Sequence, residues 1–83
     1  MIPYEWTSYA HRRLRKLPLP IQHQIVNKLE WYLAAPDPLC FAEPLVGREG
    51  KVYRFRVADY RVIFEAAKGM IVITDVGRRD HIY

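Results

Sequence analysis

Apolar residues change their period once along this chain, between the first half and the second. Residues 2–6 open with an alternation, Ile2, Tyr4 and Trp6 against Pro3 and Glu5, which predicts a short strand. Pro3 has no N–H to give a ladder and confines that strand to an edge or a strand start. Thr7 or Ser8 then suits an N-cap, and a first helix runs to about Leu17. It carries Tyr9, Ala10, Leu14 and Leu17 on an otherwise basic body of His11, Arg12, Arg13, Arg15 and Lys16. Pro18-Leu19-Pro20 stops it, and Pro20 is tolerated in the first turn of the next helix. Ile21, Ile25, Leu29, Tyr32 and Leu33 recur at three- and four-residue spacing, so a second helix ends before Pro36-Asp37-Pro38. The link between the helices is short enough to force an antiparallel hairpin.

A loop is expected over residues 36–50, after which the period becomes two. Tyr53, Phe55 and Val57 alternate with Val52, Arg54 and Arg56. Tyr60–Ala66 and Met70–Val76 are rich in β-branched and aromatic residues and read as further strands, with Lys68-Gly69 as the turn between them. The expected class is α+β: a short N-terminal strand, a two-helix antiparallel hairpin, then a three-stranded antiparallel meander, with helices on one face. Residues 1–83 form a single domain in this reading.

Composition narrows the function. Apolar residues make up 51% and aromatics 13%, so bulky rings help a small chain build a core. Cys40 is the sole cysteine, which excludes an intrachain disulfide; between Leu39 and Phe41 it is expected to be an inert, buried thiol. The N-terminus lacks a basic region followed by an apolar run, and no apolar stretch is long enough to span a bilayer. A cytoplasmic protein without membrane contact is expected. His11 and His23 lack partners at metal-ligand spacing, and Gly47 and Gly50 around Arg48-Glu49 do not make a phosphate loop. Neither a metal nor a cofactor is expected.

Charge changes the picture more. Thirteen Lys and Arg against nine Asp and Glu give +4, and Arg48, Lys51, Arg54, Arg56 and Arg61 crowd one short stretch. Arg78 and Arg79 follow near the end. If Ala58-Asp59 is a tight turn, Arg56 faces Arg61 across a ladder, with Arg54 on the same face. Like charges directly opposite cost stability, so such a pair makes sense if the face binds phosphate, which guanidinium forks match bidentately. The competing reading is a solvated face whose arginine stems cover apolar surface, with Glu65 or Asp75 neutralising part of the cluster.

Three segments carry a resemblance: Pro44-Leu45-Val46-Gly47; Val52-Tyr53-Arg54-Phe55-Arg56-Val57-Ala58-Asp59-Tyr60-Arg61-Val62-Ile63-Phe64; and Val76-Gly77-Arg78-Arg79-Asp80-His81-Ile82-Tyr83. In this order they resemble the RelE/ParE superfamily of toxin–antitoxin toxins, and Leu14-Arg15-Lys16-Leu17 with Gln24-Ile25 is similar to its helical hairpin. The resemblance implies a RelE-like fold and, in the RelE branch, metal-independent cleavage of mRNA in the ribosomal A site, the ribose 2′-OH attacking the adjacent phosphate. It also implies a cognate antitoxin, a small acidic protein. The ParE branch shares the fold, acts on DNA gyrase and lacks nuclease chemistry. A non-catalytic antitoxin-binding module is a third reading.

By position, the resemblance assigns RNA contacts to Arg54 and Arg56; Lys51, Arg48 and Arg78, from the same basic clusters, are expected to bind RNA beside them. Arg61 stands where the family's phosphate-stabilising arginine lies, Arg79 matches the arginine of the closing motif, and Tyr83 its terminal tyrosine. His81 occupies the segment where many relatives carry a catalytic histidine. Lysine often fills the strand positions in nuclease members; here both are arginine, which does not release a proton at neutral pH and can only stabilise charge. Histidine ordinarily titrates near neutrality, so proton transfer falls to His81, with Tyr83 as the competitor. The family's glycine before Asp-Tyr-Arg is Ala58; a positive φ there costs alanine on the order of 1 kcal/mol.

Overall fold

The computed structural model describes residues 1–45 and 52–82. Strand β1 (Tyr4–Trp6) leads into helix α1 (Ser8–Arg15) and helix α2 (Leu19–Leu33). A 3₁₀ turn (Pro38–Phe41) and a short strand β2 (Glu43–Pro44) follow, then strands β3 (Val52–Val57), β4 (Tyr60–Ala67) and β5 (Met70–Arg78). The sheet has the order β1-β5-β4-β3-β2, antiparallel except for the parallel β1–β5 pair. Its helix-on-sheet architecture is the expected α+β class.

Local signals explain most boundaries. The Thr7 side chain accepts from the Ala10 N–H at 3.1 Å and caps α1. Pro20 lies in the first turn of α2, where its missing N–H has no helical partner to lose. Pro3 stands just outside β1, and β1 is an edge strand. Lys68 and Gly69 both take positive φ, 48° and 77°, the pair of values a tight two-residue hairpin needs.

The core lies between the helices and one face of the sheet. Ala10, Leu14, Ile25, Leu29 and Leu33 from α1 and α2 meet Phe55, Val57, Val62, Phe64, Ile71, Ile73 and Val76, all nearly inaccessible. Aromatic rings run through it: Tyr32 stacks on Phe55 at 4.6 Å between centroids, and Phe55 on Phe64 at 4.5 Å. The alternate strand positions, Arg54, Arg56 and Arg61 among them, therefore project from the opposite, helix-free face.

Three expectations need correction. The stretch expected as a loop holds the 3₁₀ turn and β2, which pairs Glu43 with Arg54 and Pro44 with Tyr53. Two residues held by long-range pairing leave no periodic signal. Cys40 is exposed, because the turn that carries it contributes no buried residue and its apolar run rides outside the core. Helix α1 ends at Arg15, two residues short of Leu17.

Candidate nucleic-acid interface

The turn after β3 organises the arginines. Val57 pairs with Tyr60 and Arg56 with Arg61, so Ala58 and Asp59 form a two-residue hairpin. Ala58 takes a φ of 52°, a conformation that a Cβ disfavours. Arg61 clips this turn: its Nη1 donates to the Ala58 carbonyl at 3.0 Å and the Tyr60 carbonyl at 2.8 Å. Only 8% of Arg61 is exposed, and it is the only buried charged residue among those described.

Arg54 and Arg56 are held differently. Arg54 Nη2 donates to Glu43 Oε2 at 3.3 Å, and Arg56 Nε lies 3.5 Å from Glu43 Oε1. The carboxylate that neutralises the face thus comes from β2, not from Glu65, which is exposed, nor from Asp75. The Arg54 hydrogen bond, followed by the charges of Arg54, Arg56 and Arg61, holds the Glu43 carboxyl below the usual range. Arg56 remains largely exposed, and its backbone carbonyl accepts from the Tyr32 hydroxyl at 2.9 Å.

Asp75 serves another cation. Arg13 of α1 sends its Nε to within 3.5 Å of Asp75 Oδ1 and donates to the Val76 carbonyl at 3.3 Å. Its Nη1 donates to the Tyr9 hydroxyl at 3.2 Å. Gly77 makes room for this side chain: a Cβ built there would lie 2.7 Å from Arg13 Nη2. Sequence reasoning left Arg13 within a generally basic helix; the signal that could have singled it out is the glycine cross-strand from Arg61.

Beyond β5 the chain turns back, with the His81 N–H donating to the Arg78 carbonyl at 2.9 Å. The Arg79 N–H donates to the Asp59 carbonyl at 2.8 Å, tying this segment to the hairpin after β3. Arg78, Arg79 and His81 are exposed. Arg78 Nε donates to Asp80 Oδ1 at 3.4 Å and its guanidinium lies over the Tyr60 ring at 6.0 Å. Asp80's charge and hydrogen bonding with Tyr60 and Asp80 raise the Arg78 pKa further. A backbone hydrogen bond, with His81 and Arg78 adding their charge, lowers that of Asp80. Arg48, Lys51 and Tyr83, also expected in the site, lie outside the described residues. Among the described residues no three His, Cys, Asp or Glu side chains converge as metal ligands, and no helix is long and apolar enough to cross a membrane.

Arg54, Arg56 and Arg61 thus share one face, and Arg79 and His81 lie in the segment anchored to its hairpin turn. This arrangement can stabilise phosphate charge and offers one imidazole for proton transfer. The chain matches none of the curated proteins. Among solved structures, it is similar to a chain of the RelBE2 toxin–antitoxin complex from Mycobacterium tuberculosis, with 27% identity over 94% of this chain and 98% of that one, and a TM-score of 0.75. A chain of the Escherichia coli RelBE complex shares the fold at 21% identity, 94% and 96% coverage and a TM-score of 0.75. A chain of the Pseudomonas aeruginosa ParDE system shares it at 16% identity, the same coverages and a TM-score of 0.74. The family described as the ParE toxin of type II toxin-antitoxin system, parDE, matches residues 4–83. The chain therefore belongs to the ParE toxin family of type II toxin–antitoxin systems, within the RelE/ParE superfamily.

Proposed function

We propose that this toxin is a metal-independent endoribonuclease that cuts mRNA in the ribosomal A site. The observation that carries the reading is the row of Arg54, Arg56 and Arg61 on the helix-free face, next to the hairpin that anchors Arg79. Arg56 stands directly opposite Arg61, and the fold offsets their repulsion only by drawing Arg56 to Glu43 and Arg61 to the carbonyls of its turn. In the reaction the 2′-oxygen attacks the adjacent phosphorus and the bond from phosphorus to the 5′-oxygen breaks, leaving a 2′,3′-cyclic phosphate and a 5′-hydroxyl. His81, or Tyr83 in its place, takes the 2′-OH proton, and a proton passes to the departing 5′-oxygen. Arg61 and Arg79 stabilise the pentavalent phosphate, while Arg54, Arg56, Arg78, Arg48 and Lys51 hold the strand. An acidic segment of a cognate antitoxin masks this face in the cell; the M. tuberculosis and E. coli chains to which this one is similar were both solved in toxin–antitoxin complexes.

A gyrase-directed action without nuclease chemistry is the second reading, favoured by the matching family's description and by the partners Arg54, Arg56 and Arg61 already have within the chain. Inducing the chain in cells separates the two. Loss of translation with cut mRNA is the expected outcome. Intact mRNA with blocked DNA supercoiling would establish the second reading instead.

A further inference from the structure

Arg13 sits on α1, in the helical layer, yet its guanidinium reaches the arginine face. β1 covers the outer edge of β5 only from Ile71 to Ile73, so that edge is open beside Val76 and Gly77. Arg13 uses the opening: its Nε meets the Val76 carbonyl and Asp75, and Nη2 occupies the space of the missing Gly77 side chain. Gly77 is the cross-strand partner of Arg61, which in turn pairs with Arg56. A side chain at Gly77 would project on the same face as both. Arg56, Arg61 and the Arg13 guanidinium therefore occupy three successive places of one row across the sheet.

The row opens into a cleft of about 340 Å³ between the end of α1 and the end of β5, lined by Arg13, Lys16, Gly77, Arg78 and His81. Among the described residues, the carboxylates that pair with its lining cations are Asp75, with Arg13, and Asp80, with Arg78. Lys16 has no carboxylate partner among the described residues, nor does Arg13 Nη2 meet an acceptor there. Arg13 remains about one-third exposed, so a ligand can reach it.

We infer that this cleft is a second phosphate seat, taking a backbone phosphate next to the one held over Arg56 and Arg61 on the same single-stranded RNA. The inference rests on the RNA-binding reading above and adds Arg13 and Lys16 to it. Asp75 and the Val76 carbonyl fix the Arg13 stem, so Nη2 points into the seat at little further ordering cost.

The test measures binding of a short 2′-O-methyl oligoribonucleotide, which cannot be cleaved by 2′-OH attack, across a salt series. Lys16→Gln and Arg13→Gln should each weaken binding severalfold, and the double variant should flatten the salt slope by about 0.7, one single-strand phosphate contact. Gly77→Ala guards against a folding artefact. Its Cβ would lie 2.7 Å from Arg13 Nη2 and in ordinary contact with Ile82 Cβ at 3.7 Å, so it should keep the fold and the net charge while displacing Nη2 and weakening binding. Parental affinity and slope in the double variant and in Gly77→Ala, with Arg56→Gln impaired, would overturn the second seat and leave the arginine face standing. No binding by the parental chain would remove both.

Discussion

Arg56 and Arg61 are direct cross-strand partners, yet their guanidinium groups are drawn apart, Arg56 to Glu43 on β2 and Arg61 to the carbonyls of its own hairpin turn. The repulsion expected of the pair is thereby relieved within the fold. Two like residues at one register position carry different burdens, and substitution should separate them.

Arg56→Ala should leave unfolding by urea nearly unchanged while weakening RNA binding and flattening its salt dependence, since Arg56 is exposed. Arg61→Ala removes two charge-assisted hydrogen bonds from a buried guanidinium and should cost about 1–2 kcal/mol of stability. Equal stability of the two variants would remove the turn-clip role of Arg61.

Glu43→Gln should raise RNA affinity severalfold and steepen the salt dependence, because it releases Arg54 and Arg56 from their shared carboxylate. The pair is nearly half exposed on the glutamate side, so stability should change by less than about 1 kcal/mol. The Glu43 carboxyl is depressed in the folded state, so its contribution is complete above the ordinary carboxylate range and fades as pH falls through the lower folded value. The stability gap between parent and Glu43→Gln should accordingly close in acid; a gap that widens there contradicts the pairing.

Ala58→Gly should stabilise the hairpin by up to about 1 kcal/mol, since φ at Ala58 is 52° and glycine adopts that region without a Cβ clash. Glycine's greater freedom in the unfolded chain offsets part of the gain. Thermal melts of the two proteins, compared at one pH, measure the balance.

Tyr4 gives an alkaline signature. Burial, then the hydrogen bond it donates to Glu30 at 2.7 Å, push its hydroxyl from 10.0 up to about 12. The folded state thus favours the protonated ring. That contribution is complete below the unfolded value of 10.0 and is lost as pH rises through about 12. Tyr4→Phe should be less stable than the parent at neutral pH, and the difference should shrink over this alkaline interval.

His81→Gln should retain RNA binding and lose cleavage by roughly 10²–10⁴ if the imidazole takes the proton. Single-turnover cleavage on programmed ribosomes reads this directly. A parental rate in His81→Gln, with loss only in Tyr83→Phe, would transfer the role to the tyrosine.

The element order was legible because helix and strand periods differ, and the Arg56–Arg61 pairing because a two-residue turn admits one register. What escaped was tertiary. β2 is two residues long and exists through its partner strand. The competing reading offers Glu65 or Asp75 as a neutralising carboxylate, but the register shift between Ile63 and Phe64 and the short reach of β1 leave Asp75 open to α1, where Arg13 claims it. The exposure of Cys40 follows from a turn that buries none of its residues and whose Phe41 packs against Trp31 and Tyr32.

The parallel pairing of β1 with β5 also orders events during synthesis. Tyr4 emerges from the ribosome well before its partner Ile71 has been made. The helical hairpin and the β3–β4 hairpin close over short spans and can form first; the sheet's remaining edge must wait for β5. A nascent chain stopped before Met70 therefore lacks both the neighbour of β1 and the strand across which Arg13 reaches, so Arg13 joins the Arg56–Arg61 pair only once Gly77 has been made.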